Sequence, residues 1–218
     1  MKLLLTSKFI TNNSIKNGLI ELLEKDISEI QIAFITTSGY FAEGDKKWFV
    51  DEMMSVRALN PRFFELIEIY SLSRKKILER LESSDVVCLS GGHAAALMQA
   101  IDSKDLRGVL KDFAKNKVYC GSSASSHIAS KDLEMSTRAK NEAYFKENNY
   151  QTDTALGLVD FYVRAHYKDK PNITEEYVAE MSKKLKGNKI YAIDNQSAVS
   201  VNGNVIKVIS EGDYKIFE

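Results

Sequence analysis

Residues 85–92 read Asp85-Val86-Val87-Cys88-Leu89-Ser90-Gly91-Gly92. A continuous apolar run that ends in two glycines suits a strand buried on both faces, as in a parallel sheet. Its neighbours continue the pattern. Upstream, Ser73–Leu81 has helical spacing, with Ser73 placed as an N-cap. Downstream, His93–Ile101 and Asp105–Ala114 read as helices, and Val118-Tyr119-Cys120 as a short strand. Further back, strands at Lys2–Leu5, Ile32–Ile35 and Phe63–Ile69 alternate with helices at Ser14–Leu23 and Asp45–Leu59. The last of these carries Trp48, Met53, Val56 and Leu59, the last three of them three residues apart. Five strand–helix alternations predict an α/β doubly wound, mostly parallel sheet flanked by helices.

The remainder changes character. Roughly Lys131 to Thr154 is polar with weak periodicity and reads as a loop-rich excursion with one helical turn. Order returns at Leu158–Ala165 and at a helix near Thr174–Leu185. Four short strands follow, Lys189–Ile193, Ala198–Val201, Val205–Ile209 and Tyr214–Phe217. Asn202-Gly203 signals a hairpin between two of them, so an antiparallel hairpin is expected at one edge of the sheet. No repeat or linker divides residues 1–218, which predicts a single α/β domain.

Composition narrows the function. Thirty basic residues balance thirty acidic ones, which gives no reason to expect nucleic acid or an anionic membrane as partner. No apolar stretch approaches a membrane span, and the run Leu3-Leu4-Leu5 is too short for a signal peptide. Cys88 and Cys120 make no disulfide framework, and the three histidines lack metal-ligand spacing. We therefore expect a cytoplasmic protein with reduced thiols, no metal and no cofactor. The dinucleotide and P-loop glycine patterns are absent.

Ligand sites in such sheets lie beyond the carboxyl ends of strands. Three loops qualify: Thr36–Gly39, Ser90–His93 and Gly121–Ser125. In the third, Gly121-Ser122-Ser123-Ala124-Ser125 turns sharply from strand to helix, the context of a nucleophile elbow. Ser123 is the candidate nucleophile, and the Ala124 N–H a candidate oxyanion donor. The plainer reading is a helix start capped by Ser122 or Ser123. Gly91-Gly92 leaves free amides that could serve as a second donor, although an ordinary β–α turn also explains it. A serine nucleophile needs a base. His127 lies on the helix after the elbow and reads as structural. His93 either lines the site or starts a helix. His166 ends the strand Leu158–Ala165, well placed to reach the elbow. Asp194, at the end of Lys189–Ile193, is the candidate orienting acid, with Asp160 and Asp169 as rivals. Cys120 and the aromatic residues Phe161, Tyr162 and Tyr167 read as core.

These residues together resemble the dipeptidase E (aspartyl dipeptidase) family of serine peptidases, which has a class I glutamine amidotransferase-like fold. The resemblance runs from the first strand to the last hairpin. It is carried by Phe34-Ile35-Thr36-Thr37-Ser38, residues 85–92, Tyr119-Cys120-Gly121-Ser122-Ser123-Ala124, and Gly157–Phe161 leading to His166-Tyr167. It implies Ser123 as nucleophile, His166 as base and the N–H groups of Gly92 and Ala124 as oxyanion donors. Gly91, His93, Asn195 and Arg164 are the candidate substrate-binding residues. Three positions depart from the family. His93 stands where asparagine is usual, Ser125 where glycine is usual, and Asn195 where the third triad member is usually glutamate, directly after Asp194. An amide orients an imidazole but cannot offset its positive charge.

The implied activity is hydrolysis of dipeptides or other short peptides, with N-terminal aspartate favoured in the family and cyanophycin a substrate of its relatives. Arg138 and Arg164 are the nearest arginines in sequence to the proposed loops. The implied partner is a small peptide, and the implied assembly a monomer or homodimer. Two other readings fit the departures: a ligand-binding or regulatory protein on the same scaffold, and a hydrolase of a non-peptide amide or ester.

Overall fold

In the first strand Leu3 and Leu5 pack on one side and Leu4 on the other. The two-residue period of a pleated strand thereby feeds two cores from three consecutive leucines. The computed structural model describes residues 1–218. Its strands are β1 (Lys2–Thr6), β2 (Gln31–Ile35), β3 (Phe63–Ile67), β4 (Val86–Leu89), β5 (Val118–Ser122), β6 (Tyr162–Ala165), β7 (Ile190–Ile193), β8 (Ser197–Asn202), β9 (Val205–Ser210) and β10 (Tyr214–Phe217).

Seven of them form the main sheet, in the order β3-β2-β4-β5-β1-β8-β9. The five from β3 to β1 run parallel, and the β8–β9 hairpin is antiparallel at the edge beyond β1. Helices α1 (Asn13–Leu23) and α3 (Lys47–Arg57) cover one face. Helices α4 (Arg74–Ser83), α5 (Ala94–Ser103) and α6 (Arg107–Asn116) cover the other. This is the doubly wound α/β fold. Cys88 and Cys120 face each other across β4 and β5 as free, buried thiols.

Four details differ from the sequence reading. The hairpin loop is Gly203-Asn204, one residue later than expected, with the positive φ on Gly203 (59°). Strands β7 and β10 leave the main sheet and join β6 in a second, three-stranded sheet, β10-β7-β6. That sheet has its own core of Tyr162, Tyr167, Ile190 and Ala192 packed with Val178 of α9 (Glu175–Lys184). Finally, the polar excursion contains a three-turn helix, α8 (Arg138–Asn148). Only Asn141 and Tyr144 of α8 are buried, so its apolar stripe is too thin to show as periodicity. The Thr36–Gly39 loop is also partly helical, as α2 (Thr37–Phe41).

Candidate active site

Parallel pairing puts Leu89 opposite Gly121, so the strand ends of β4 and β5 deliver Gly91-Gly92 and Ser122-Ser123 side by side. Ser123 has φ 48° and ψ −106°, a conformation that costs on the order of 1–3 kcal/mol for a residue with a Cβ. It is held there by its N–H, which donates to Thr6 O at 2.9 Å, and by the four-residue helix α7 (Ala124–His127) that starts at once. A Cβ on Gly121 would lie 2.9 Å from the Ser125 carbonyl. The close approach of strand and helix therefore falls on Gly121 and on the backbone of residue 125. Serine fits at 125, and its hydroxyl donates to Ser90 O.

Gly92 has φ 131°, and a Cβ there would sit 2.2 Å from Ser38 O. Only glycine lets the β4 loop pass so close to α2. The N–H groups of Gly92 and Ala124 line one cavity and donate to no acceptor within the chain.

The second sheet supplies the other half of the site. His166 follows β6 with φ 63°, and its N–H donates to Ser7 Oγ at 3.0 Å. Ser7 Oγ in turn donates to Ile193 O at 2.9 Å, so one buried serine after β1 ties two of the three small-sheet strands, β6 and β7, to the main sheet. His166 Nε2 lies 2.9 Å from Ser123 Oγ, and its Nδ1 lies 2.9 Å from Asn195 Oδ1. An amide oxygen only accepts, so Nδ1 carries the proton and the Nε2 lone pair faces the serine. The Asn195 backbone N–H is itself held by the Asp169 carboxylate at 2.6 Å. Burial, with Lys170 adding to it, pulls the His166 pKa down to about 4. Neutral imidazole is required of a base, so Ser123 reactivity should rise through pH 4 and be level from 5 to 6. A pH profile with its acid limb near 6.5 would contradict this.

Asp194 does not reach His166. Its Oδ1 accepts from Gln196 N at 2.9 Å and from Ser197 Oγ, and its Oδ2 accepts from Asp213 N at 2.6 Å. Its carboxylate builds the turn between β7 and β8. A single step along the chain past β7 separates the two roles, and Asn195 makes the contact expected of Asp194.

The other expected residues divide. Gly91 packs against Ser123, where an added Cβ would meet the Ser123 Cβ at 3.3 Å. His93 caps α5, its Nδ1 accepting from Ala96 N at 3.4 Å, and also lines the cavity against the Tyr144 ring. His127 is buried and accepts from Ala165 N, a structural role. Arg164 is 6% exposed, reaches the cavity, donates to Met135 O and lies over the Tyr177 ring. Arg138 does not line the cavity; it pairs with Glu142 at the surface.

Sequence reading did not single out Ser7, Lys140, Tyr144, Lys170 or Glu52. The cavity, about 610 Å³, is walled by α8 through Lys140 and Tyr144 and by Lys170 beyond β6. Glu52 is 3% exposed; its Oε2 accepts from Gly91 N at 3.1 Å and its Oε1 lies 2.5 Å from Ser122 Oγ. The available signal was its place between Phe49 and Val56 on the buried face of α3. No three His, Cys, Asp or Glu side chains converge on a point that could hold a metal ion. No helix is long and apolar enough to cross a membrane.

The chain has relatives. The chain is 25% identical over 193 residues to an uncharacterized peptidase of Pasteurella multocida (strain Pm70), covering 87% of this chain and 89% of that protein. A 1.5 Å crystal structure of a candidate peptidase E protein from Listeria monocytogenes EGD-e superposes with a TM-score of 0.77 at 22% identity, covering 97% of this chain and 98% of that one. A peptidase from an acI-B1 actinobacterium has the same fold at 16% identity, with a TM-score of 0.65 over 99% of this chain and 89% of that one. The model of peptidase family S51 matches residues 3–209, which takes in both sheet ends that meet at Ser123 and His166. By that match the chain belongs to peptidase family S51 and is a serine-type peptidase.

Proposed function

We propose that the protein hydrolyses dipeptides or other short peptides, preferring an acidic N-terminal residue, through an acyl-enzyme at Ser123. The observation that carries this reading is the 2.9 Å contact of Ser123 Oγ with His166 Nε2, in one cavity with two unengaged backbone donors. His166 takes the Ser123 proton as Oγ attacks the scissile carbonyl. The oxyanion forms against the N–H groups of Gly92 and Ala124. His166 then returns the proton to the leaving amine, and water attacks the ester with His166 again as base. Asn195 keeps the imidazole in the required tautomer.

The preference for an acidic residue rests on the cavity's cations. Arg164, Lys140 and Lys170 line it, and none forms a salt bridge within the chain, although Glu43 and Glu147 also lie on its rim. Arg164 Nε is buried without any partner, an arrangement that a substrate carboxylate would complete. A panel of dipeptides scored by released amino acids tests the reading. Asp-Leu should be cleaved in preference to Ala-Leu. In Lys170→Met the KM for Asp-Leu should rise about tenfold, the order of one charge-assisted hydrogen bond, with the KM for Ala-Leu changed by less than about twofold. Equal KM shifts for both peptides would remove the acidic preference.

Asn195 favours a second reading, a scaffold that binds a short peptide and turns it over slowly or not at all. That reading expects ligand-induced thermal stabilisation without product from any member of the panel.

A further inference from the structure

The buried carboxyl of Glu52 has no part in the acyl transfer described above, yet it bonds to Gly91 and Ser122, in the two loops that carry the proposed oxyanion donors. Its Oε2 is the sole acceptor of the Gly91 N–H, and its Oε1 meets Ser122 Oγ. Ser122 Oγ also lies 3.1 Å from Ser7 O, the one donor that carbonyl has. A serine hydroxyl carries a single hydrogen, and a carbonyl oxygen can only accept. If that hydrogen goes to Ser7 O, the contact with Glu52 needs a proton on Glu52. The neutral acid satisfies every group: O–H to Ser122 Oγ, Ser122 O–H to Ser7 O, and Gly91 N–H to the acid's other oxygen. The carboxylate leaves either Ser7 O or the Ser122 contact without a hydrogen, at a residue that is 3% exposed and makes no salt bridge.

Taking Ser123 as nucleophile, as proposed above, we propose that Glu52 is a positioning residue that works as a neutral carboxylic acid, pinning the Gly91-Gly92 loop to the elbow. Its proton keeps negative charge away from the two amides against which the oxyanion develops. Burial moves this carboxyl in the same direction, up to about 7, with hydrogen bonds from Ser122 and Gly91 opposing. The charged group acting on it is Lys8, after β1, which favours the anion; β4, β5 and their loops present only Gly91 and Ser122 to it. His166, joined to the same network through Ser7, is neutral above about pH 4 and holds its charge constant there.

The experiment uses an alkyl fluorophosphonate, which needs no knowledge of the natural substrate. Ser123 Oγ attacks phosphorus, His166 takes its proton, the P–O bond forms and fluoride leaves. The second-order rate is followed from pH 5 to 9, with the modified residue identified by peptide mass. Wild type should lose rate at least fivefold as pH rises through about 7. Glu52→Leu should lose about 100-fold or more throughout. Glu52→Gln, whose amide donates to Ser122 and accepts from Gly91 as the neutral acid does, should recover the acid-side rate to within about fivefold and hold it level to pH 9. A hundredfold loss in Glu52→Gln shows that an anion is needed and overturns the proposal. So does a Glu52→Gln profile with the wild-type alkaline decline. The unfolding free energy supplies a second readout. A carboxyl pKa raised on folding gives stability that is complete below about 4.5 and fades as pH rises to about 7, and Glu52→Gln should abolish that slope. An unchanged slope overturns the protonated state. Absence of Ser123 labelling in the wild type overturns the nucleophile reading and this positioning role with it. Labelling with identical profiles in wild type and Glu52→Gln overturns this role alone.

Discussion

Asn195→Asp is expected to raise kcat by about 10²–10³. The amide oxygen of Asn195 already sits 2.9 Å from His166 Nδ1, and aspartate is its isostere, so the exchange changes charge and leaves geometry in place. In the transition state His166 becomes a cation. At present nothing negative touches it, while Lys170, Arg164 and Lys8 all disfavour the charge. A carboxylate at Nδ1 would offset that cation directly. The reverse exchange in the serine-protease triad costs about 10⁴ in kcat. A smaller gain is expected here because Asp169, bonded to the same residue's N–H, and nearby Asp194 repel a new anion. The acid limb of the pH profile should move up from about 4 at the same time, since the carboxylate favours imidazolium. Steady-state kinetics on the best dipeptide of the panel would measure both. A kcat unchanged within threefold, together with a shifted acid limb, would mean that charge on His166 does not limit the reaction.

Ser123→Ala is expected to lower turnover by at least about 10³, with the fold retained. The variant keeps His166, Asn195 and both backbone donors but has no atom that can form the acyl-enzyme. Any remaining hydrolysis would come from water positioned in the cavity. Folding should survive, because the bonds that hold the elbow are made by backbone groups and by Ser122, Ser125 and Ser126. Alanine inherits the strained φ of 48° unchanged. Removing the hydroxyl leaves His166 Nε2 facing the cavity, so the unfolding midpoint should move by only a few degrees. Binding of Asp-Leu, measured by calorimetry on the inactive variant, should stay within a few-fold of the wild-type KM. Full turnover in Ser123→Ala would remove the nucleophile assignment altogether.

The parallel core was legible because each of its strands is a short apolar run with a turn signal at its carboxyl end. The loops after β4 and β5 could then be paired without any structure. The 2.9 Å approach of Ser123 and His166 needs in addition the docking of β6 from the second sheet, although His166 was expected at a strand end beside the elbow. What the residues did not disclose has a common cause: it depends on which way a side chain turns at the end of an element. Asp194 and Asn195 are adjacent and chemically similar, and only the turn after β7 decides which of them meets the imidazole. Glu52 looks like any surface glutamate until α3 is docked with that face inward. Strands β7 and β10 have the same alternation as the hairpin strands beside them. Their transfer to a second sheet is set by the pairing of β7 with β6 and of β10 with β7, a long-range choice that local pattern does not encode. The α8 helix buries two side chains and so leaves almost no periodic trace.

The division of the site between two sheets bears on how the protein is made. During synthesis the elbow, at residues 121–125, leaves the ribosome some forty residues ahead of His166 and some seventy ahead of Asn195. The main sheet itself waits for β8, at residues 197–202, to cover the flank of β1. Domains generally fold as units during synthesis, so the sheet forms only once its later strands have emerged. Until His166 has emerged, a nascent chain holds Ser123 without the imidazole that meets it in the folded protein. The contact of Ser123 with His166 is completed only when the second sheet docks through Ser7, so on the proposed mechanism reactivity is among the last properties that folding confers.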